Sequence, residues 1–330
     1  MNDETLNNVP RPATVASKYM LATLGELLEM AIPPREWLLY PFLQERSTCM
    51  LYAKRGVGKT YVGLSIALAV AGGVNIMGFN ANKPHKVLYI DGEMAAYDLR
   101  ERARALALGL GDSFSGFDNL RFLAAELQPD GSPNLAHPDT QAEIETLLAD
   151  VDLLIIDNLS ALCSFGRENE AESWGPMQRW LLRLKHQGKS VLVIDHAGKN
   201  GDNRGTSKKQ DALESVICLE HPDGYKASEG ARFVITYPKS RGVYGEDIEP
   251  SEARLREGEV PDSLVWDICG YISPKDKKSE EERALARELK AAGMSTRDIA
   301  KAMGIGKSKA AELVKAGPMP ATPVSAPPTP

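Results

Sequence analysis

The sequence predicts an α/β fold with a mainly parallel sheet covered by helices on both faces, and three observations carry that prediction. Short continuous apolar runs recur from Trp37 onward: STCMLYA, KVLYIDG, NLRFLAA, DLLIID and SVLVID. Helical patterns separate them, near residues 59–72, 95–109, 139–150 and 174–187. The later runs LESVICLE, ARFVITY and SLVWDI have shorter connections, which predicts an antiparallel extension of the same sheet.

At 330 residues there is room for one large α/β domain and something small beside it. Apolar residues make up 43% and charged residues 25%, an ordinary globular balance. The net charge of −6 excludes a nucleic-acid polycation, so any basic site must be local. Cys49, Cys163, Cys218 and Cys269 form no CxxC pair, which argues against zinc and fits a reduced cytoplasmic setting. The polar start MNDETLNNVPRP is no signal peptide, and VGLSIALAVAGG is too short and too Gly-rich at its end to span a bilayer. The expectation is a cytoplasmic protein with no membrane contact.

Residues 1–35 read as an arm or linker, with a short amphipathic stretch LATLGELLEMA ending at Pro33-Pro34. Residues 36–272 form the core. The charged, Pro-interrupted texture of SPKDKKSEEER marks a boundary, with a linker over 273–279 and a helical block over 280–316. The tail 317–330 holds six prolines and is expected to be disordered or polyproline-like.

The sharpest motif is Ala53-Lys54-Arg55-Gly56-Val57-Gly58-Lys59-Thr60, after a strand and before an apolar helix. It matches the Walker A pattern, with Ala53 in place of the first glycine. A Gly-rich turn lets successive backbone N–H groups face phosphate oxygens, and the helix N-terminus adds its positive dipole. Residues Ala53 to Tyr61 are therefore the predicted seat for ATP. Lys59 would reach the β- and γ-phosphates, and the Thr60 hydroxyl would ligate Mg²⁺.

Strand ends supply the remaining chemistry. LLIID ends at Asp157, 98 residues after Lys59, as a Walker B aspartate that would hold Mg²⁺ through its water shell. VLYID is followed by Gly92 and Glu93; a carboxylate there can polarise the attacking water. That role goes to Glu93, with Asp91 as the alternative. His196, ending SVLVIDH, can sense the γ-phosphate. The loop AGKNGDNRGTSKKQ carries Lys199, Arg204, Lys208 and Lys209 among glycines, and a basic loop above a nucleotide site can grip single-stranded DNA. Lys239 and Arg241, at the end of ARFVITYPKSRG, either lie beside their own site or enter a neighbour's as an arginine finger.

In this order and spacing, AKRGVGKT, IDGEM, LLIIDN, VIDHAGK, RGTS and PKSRG resemble the RecA-like P-loop NTPase core of the hexameric replicative helicases of the RepA type. Lys239-x-Arg241-x-Gly is also similar to the finger element of DnaB-type helicases. The similarity spans roughly residues 36–270. It implies ATP hydrolysis at the subunit interfaces of a homo-oligomeric ring, with single-stranded DNA in the channel. By position it gives Lys59 and Thr60 the phosphate and Mg²⁺ roles, Glu93 the catalytic carboxylate, Asp157 the Walker B role and His196 the sensor. Lys239 and Arg241 match the trans-acting pair. One departure stands out: the arginine that RepA places a few residues after its RGSS motif is Glu214 here, which moves the finger to Arg241. The sequence contains neither the NKxD of GTPases nor an LSGGQ-like transporter signature. The rivals are a regulatory or recombination-mediator ATPase that binds DNA without unwinding it, and a small-molecule kinase.

The C-terminal block has helix-turn-helix spacing, with Ala300 at a close helix crossing and Gly304 in the turn. Ile299, Met303, Ile305 and Leu313 would form its core, and Lys307, Ser308 and Lys309 would open the helix that contacts DNA. Residues 271–316 hold eleven Lys and Arg against seven acids, a local excess that predicts duplex contact.

Overall fold

The computed structural model describes residues 20–112, 114–163, 170–197 and 212–315. It separates residues Met1–Arg35 from Glu36–Pro330 as two units. In the first, α1 (Leu24–Glu29) opens on a capping box: the Thr23 hydroxyl accepts the N–H of Glu26, whose carboxylate accepts the N–H of Thr23. Leu24, Leu27 and Leu28 on this helix are all exposed.

The second unit begins with a small hairpin, β1 (Trp37–Leu39) and β2 (Leu43–Gln44), and then enters the sheet. Its elements follow as β3 (Thr48–Ala53), α2 (Lys59–Gly72), β4 (Val87–Asp91), α3 (Ala96–Gly109), β5 (Leu120–Ala124), α4 (Pro138–Leu147), β6 (Leu153–Asp157), α5 (Leu159–Leu162), α6 (Glu170–His186) and β7 (Ser190–His196). Then come β8 (Ser215–Glu220), β9 (Arg232–Ser240), β10 (Ser251–Glu257) and β11 (Leu264–Gly270). Among the described residues the nine strands β3–β11 form one sheet in the order β11-β10-β9-β8-β3-β7-β6-β4-β5. Strands β5 to β8 in that order run parallel, and β9, β10 and β11 continue as an antiparallel meander.

The apolar runs are continuous because both sheet faces are covered. Odd and even positions of each strand enter different cores. Leu51, Tyr89, Ile155 and Ile194 join α2 and α3, while Met50, Ile90, Ile156 and Val193 join α4, α5 and α6. Trp174 and Trp180 are buried in the second core. The Trp180 indole N–H donates to Glu145 Oε1 at 2.9 Å; leaving it unpaired would cost about 1–3 kcal/mol.

Three differences from the sequence reading have local causes. Strand β10, SEARLRE, is absent from the apolar runs because it is polar and only Ala253 in it is buried, yet it pairs in full register with β11. The fourth long helix, α6, starts at Glu170, earlier than its apolar pattern. The expected linker over 273–279 is instead the first part of α7 (Pro274–Ala291), so the helical block starts at 274 rather than 280. Proline at a helix start loses no hydrogen bond, and the charged run behind it is a solvated helix face.

After α7 come α8 (Thr296–Ala302) and α9 (Lys307–Lys315). These three helices share their own small core of Ala286, Ile299, Ala300, Ala310 and Leu313, with Met303 and Ile305 against it. Ser295 caps α8, and Gly304 turns the chain at φ 64°. Among the described residues no helix is long and apolar enough to cross a membrane.

Candidate active site

Parallel register brings the motif residues to one sheet edge. Ala53 at the tip of β3 pairs with His196 on β7 and with Leu219 on β8, while Asp91 on β4 pairs with Asp157 on β6. β7 lies between the strands carrying Ala53 and Asp157. The chain leaves β3 through an exposed turn, Lys54 to Gly56, in which Gly56 has φ 79° and Gly58 φ 118°. Both values favour glycine. Gly58 is the N-cap of α2 and has no side chain to occupy the first-turn N–H groups. A Cβ there would also come within 3.2 Å of Ala231.

A cavity of about 710 Å³ opens above this edge, lined by Arg55, Gly56, Gly58, Lys59, Thr60, Tyr61, Glu93, Asp157, Asn158 and His196, with Arg102 and residues between Tyr225 and Ala231 on its wall. A second cavity of about 640 Å³, between α3 and β5, is lined by apolar side chains with Arg100 and Arg104 and carries no acid.

Lys59 is buried, and its ammonium donates to the carbonyls of Ala53 and Lys54 at 3.2 Å each. It lies 3.0 Å from His196 Nδ1. Since an ammonium only donates, Nδ1 accepts and the ring proton is on Nε2. Burial, and then the Lys59 charge, hold the imidazole below its ordinary pKa, so His196 is neutral at pH 7. Its Nε2 is buried with no hydrogen-bond partner among the described residues, and the nearest acid oxygen is Glu93 Oε1 at 4.0 Å.

Asp157 is buried, which raises its pKa, while the Tyr89 and Thr60 hydroxyls act against that rise. Tyr89 donates to Oδ2 at 2.6 Å. Thr60 and Asp157 line the same cavity, and hard oxygens of this kind suit Mg²⁺. The orphaned Nε2–H of His196 and the uncapped start of α2 face the same cavity, so the residues present fit Mg·ATP.

Glu93 is half exposed, and its Oε2 accepts from the Asn158 side-chain amide at 2.8 Å. The peptide between Asp157 and Asn158 is cis. Asn158 Oδ1 also caps α5, accepting from Ala161 N at 3.1 Å. Asp91, the alternative base, is buried, and its Oδ1 accepts the N–H groups of Glu93 and Met94 at 3.2 and 2.7 Å. Burial raises its pKa to about 6. It braces the turn that carries Glu93 and does not line the cavity.

The other sequence-predicted residues are elsewhere. Lys199, Arg204, Lys208 and Lys209 lie outside the described residues. Lys239 lies at the end of β9 and Arg241 just beyond it, where Ser240 pairs with Ser215 at the start of β8, on the edge opposite the phosphate loop. From Ile235, opposite Leu219, to Arg241 is six residues of extended chain, about 20 Å. The geometry removes the option that Arg241 lies beside its own site. Lys307, Ser308 and Lys309 open α9, with Lys309 paired to Glu282 on α7 at 2.8 Å.

Sequence reasoning missed Asn158, Tyr89 and the wall between Tyr225 and Ala231. Asn158 was within reach, since it directly follows the strand-ending Asp157. Tyr225 lies in a polar turn with no pattern to mark it.

Among solved structures, the chain is similar to the flagellar accessory protein FlaH from Methanocaldococcus jannaschii, at 13% identity and a TM-score of 0.46, over 68% of this chain and 91% of that one. The sequence model of the AAA domain family matches residues 15–202, more than half of the chain. With its phosphate loop, acidic strand tips and parallel core, the chain belongs to the AAA domain family of P-loop ATPases.

Proposed function

We propose that this protein is a Mg²⁺-dependent ATPase that works on DNA, as a RepA-like replicative helicase or DNA-remodelling motor of a mobile element or phage, assembled as a homo-oligomeric ring. The observation that carries the ATPase part is the convergence of Lys59, Thr60, Glu93, Asp157 and His196 on one cavity at the sheet edge. Bound Mg²⁺ supplies charge neutralisation on the phosphate oxygens. Thr60 and Asp157 would hold it. Lys59 would exchange its bonds to the Ala53 and Lys54 carbonyls for bonds to the β- and γ-phosphates. Glu93 would orient the attacking water and accept its proton, and the Nε2–H of His196 would donate to the γ-phosphate.

Support for a ring comes from the far edge of the sheet. The Arg241 N–H donates to the Glu214 carbonyl at 3.0 Å. Glu214 is where the RepA resemblance expects an arginine, so Arg241 starts from nearly the same place in space. Glu214 itself is committed to structure: its Oε2 accepts from Thr48 N at 2.9 Å, and its Oε1 accepts from Lys185. An arginine about 20 Å from its own phosphate loop can serve a finger role only in a neighbour's site.

The DNA part rests on the basic balance of residues 271–316 and on exposed Lys307, Ser308 and Lys309 at the head of α9. The loop from Lys199 to Lys209 would add single-stranded contacts. ATPase assays with and without single-stranded DNA, combined with strand displacement, test this reading. Stimulation with unwinding is expected. ATPase with DNA binding but no displacement favours the regulator or mediator, and turnover that needs a small-molecule acceptor favours a kinase. Removing residues 273–330 takes the three C-terminal helices away whole and is expected to weaken duplex binding while sparing basal ATPase.

A further inference from the structure

We infer that the β8–β9 connection, residues 221–231, seats the base of the nucleotide, with the ring of Tyr225 as its stacking platform. The inference rests on the ATP-binding reading above and adds to it the part of the site that recognises something other than phosphate.

The sheet order gives the cavity a direction. The acids Glu93 and Asp157 come from β4 and β6, on one side of β3, whereas β8 lies on the other. A triphosphate with its γ end beside those acids must leave the loop toward β8. There it meets the 221–231 connection, which lies close against the loop: a Cβ on Gly58 would come within 3.2 Å of the Ala231 Cβ. Tyr225, Gly230 and Ala231 line the same cavity as Lys59 and Thr60. No carboxylate other than Glu93 and Asp157 lines it among the described residues, and Glu229 of the same connection is paired with Arg232 at 2.8 Å.

Tyr225 is held in place before any ligand arrives. One face of its ring is stacked on His221, with centroids 3.5 Å apart and planes 9° from parallel. Its hydroxyl donates to the Gly230 carbonyl at 2.8 Å, and its N–H donates to the Pro222 carbonyl at 3.1 Å. His221 is fixed in turn by Nδ1, 2.8 Å from the Arg232 carbonyl oxygen. A tyrosine serving only as core would be covered by apolar side chains. This one is covered by an imidazole on one face, is only partly buried, and is flanked by exposed Gly224 and Lys226. A ring already immobilised loses little entropy when a base stacks on it. Stacking uses the π-face that every base has, so the seat distinguishes a nucleotide from bare polyphosphate more than adenine from guanine.

The test is calorimetric titration of the full chain and of Tyr225→Ala and Tyr225→Trp with Mg·ATP, Mg·ADP and Mg·tripolyphosphate, which has the phosphates but no base. Tyr225→Ala is expected to weaken ATP and ADP about tenfold, or about 1.4 kcal/mol, to leave tripolyphosphate within about twofold, and to be rescued by Tyr225→Trp. Unchanged ATP affinity in Tyr225→Ala overturns the inference. So does an equal loss for ATP and tripolyphosphate, which would mark a distorted phosphate loop, and so does wild-type protein that binds both with the same affinity. Wild-type protein that binds neither overturns the ATP reading and the base seat together.

Discussion

The Asn158 side-chain amide donates to Oε2 of Glu93 across 2.8 Å, so the residue after Asp157, the proposed metal ligand, holds the carboxylate proposed to act on the attacking water. The same two strand tips are tied through the backbone, where Gly92 N–H donates to the Asp157 carbonyl at 2.8 Å. On the proposed reading, binding of Mg²⁺ and placement of the general base would be mechanically one unit.

Asn158→Asp separates the positioning role from the structural one. Aspartate keeps the cap on α5 but loses the amide donor and sets a second negative charge beside Glu93. Turnover is expected to fall by about 10²-fold, the scale of a misplaced general base, with the ATP dissociation constant and thermal midpoint close to wild type. Wild-type turnover would remove Asn158 from its role.

Asp91 makes a prediction about pH. Its ionised form is disfavoured in the folded protein, where the pKa rises from the ordinary 3.8 to about 6, chiefly through burial. Well below pH 3.8 the group is protonated in both the folded and unfolded states and costs nothing. As pH rises from about 4 through 6 the unfolded chain ionises first, and stability is lost across that window. Asp91→Asn can still accept both turn N–H groups. It is expected to raise the thermal midpoint at pH 7.5 and to flatten its decline between pH 4 and 6. A midpoint lowered at pH 7.5 would contradict the buried-charge account.

The parallel core was legible because its strands carry the information twice, in their apolar runs and in their chemistry-bearing ends. Lys59, Asp157, Glu93 and His196 are assignable to one edge from the sequence alone, since parallel strands deliver their C-terminal residues to the same side. Strand β10 was not legible: its alternation of Glu252, Arg254 and Arg256 reads as loop until its partners β9 and β11 are known. Nor was the side on which Lys239 and Arg241 emerge. That depends on the register of β9 against β8, with Ser240 opposite Ser215, which a predicted antiparallel extension does not fix residue by residue. Tyr225 and Arg102 reach the cavity only through the tertiary fold.

Arg241 on the far edge leads to a mixing experiment. Arg241→Ala and Glu93→Gln subunits are each expected to be nearly inactive alone, with activity reduced by about 10³-fold or more for a lost finger. Mixed rings would contain some interfaces with an intact Glu93 on one side and an intact Arg241 on the other. Partial recovery of turnover on mixing is expected. No recovery at any ratio, in rings shown to exchange subunits, would exclude a finger acting between subunits.

The central claim is that the cavity over β3 binds Mg·ATP and that Glu93 turns it over. The most direct measurement is Mg·ATP affinity and steady-state hydrolysis in wild type and Glu93→Gln, read side by side. Retained affinity with turnover lowered by at least about 10²-fold is the predicted result. Wild-type protein without affinity for Mg·ATP, or Glu93→Gln hydrolysing at the wild-type rate, would contradict it.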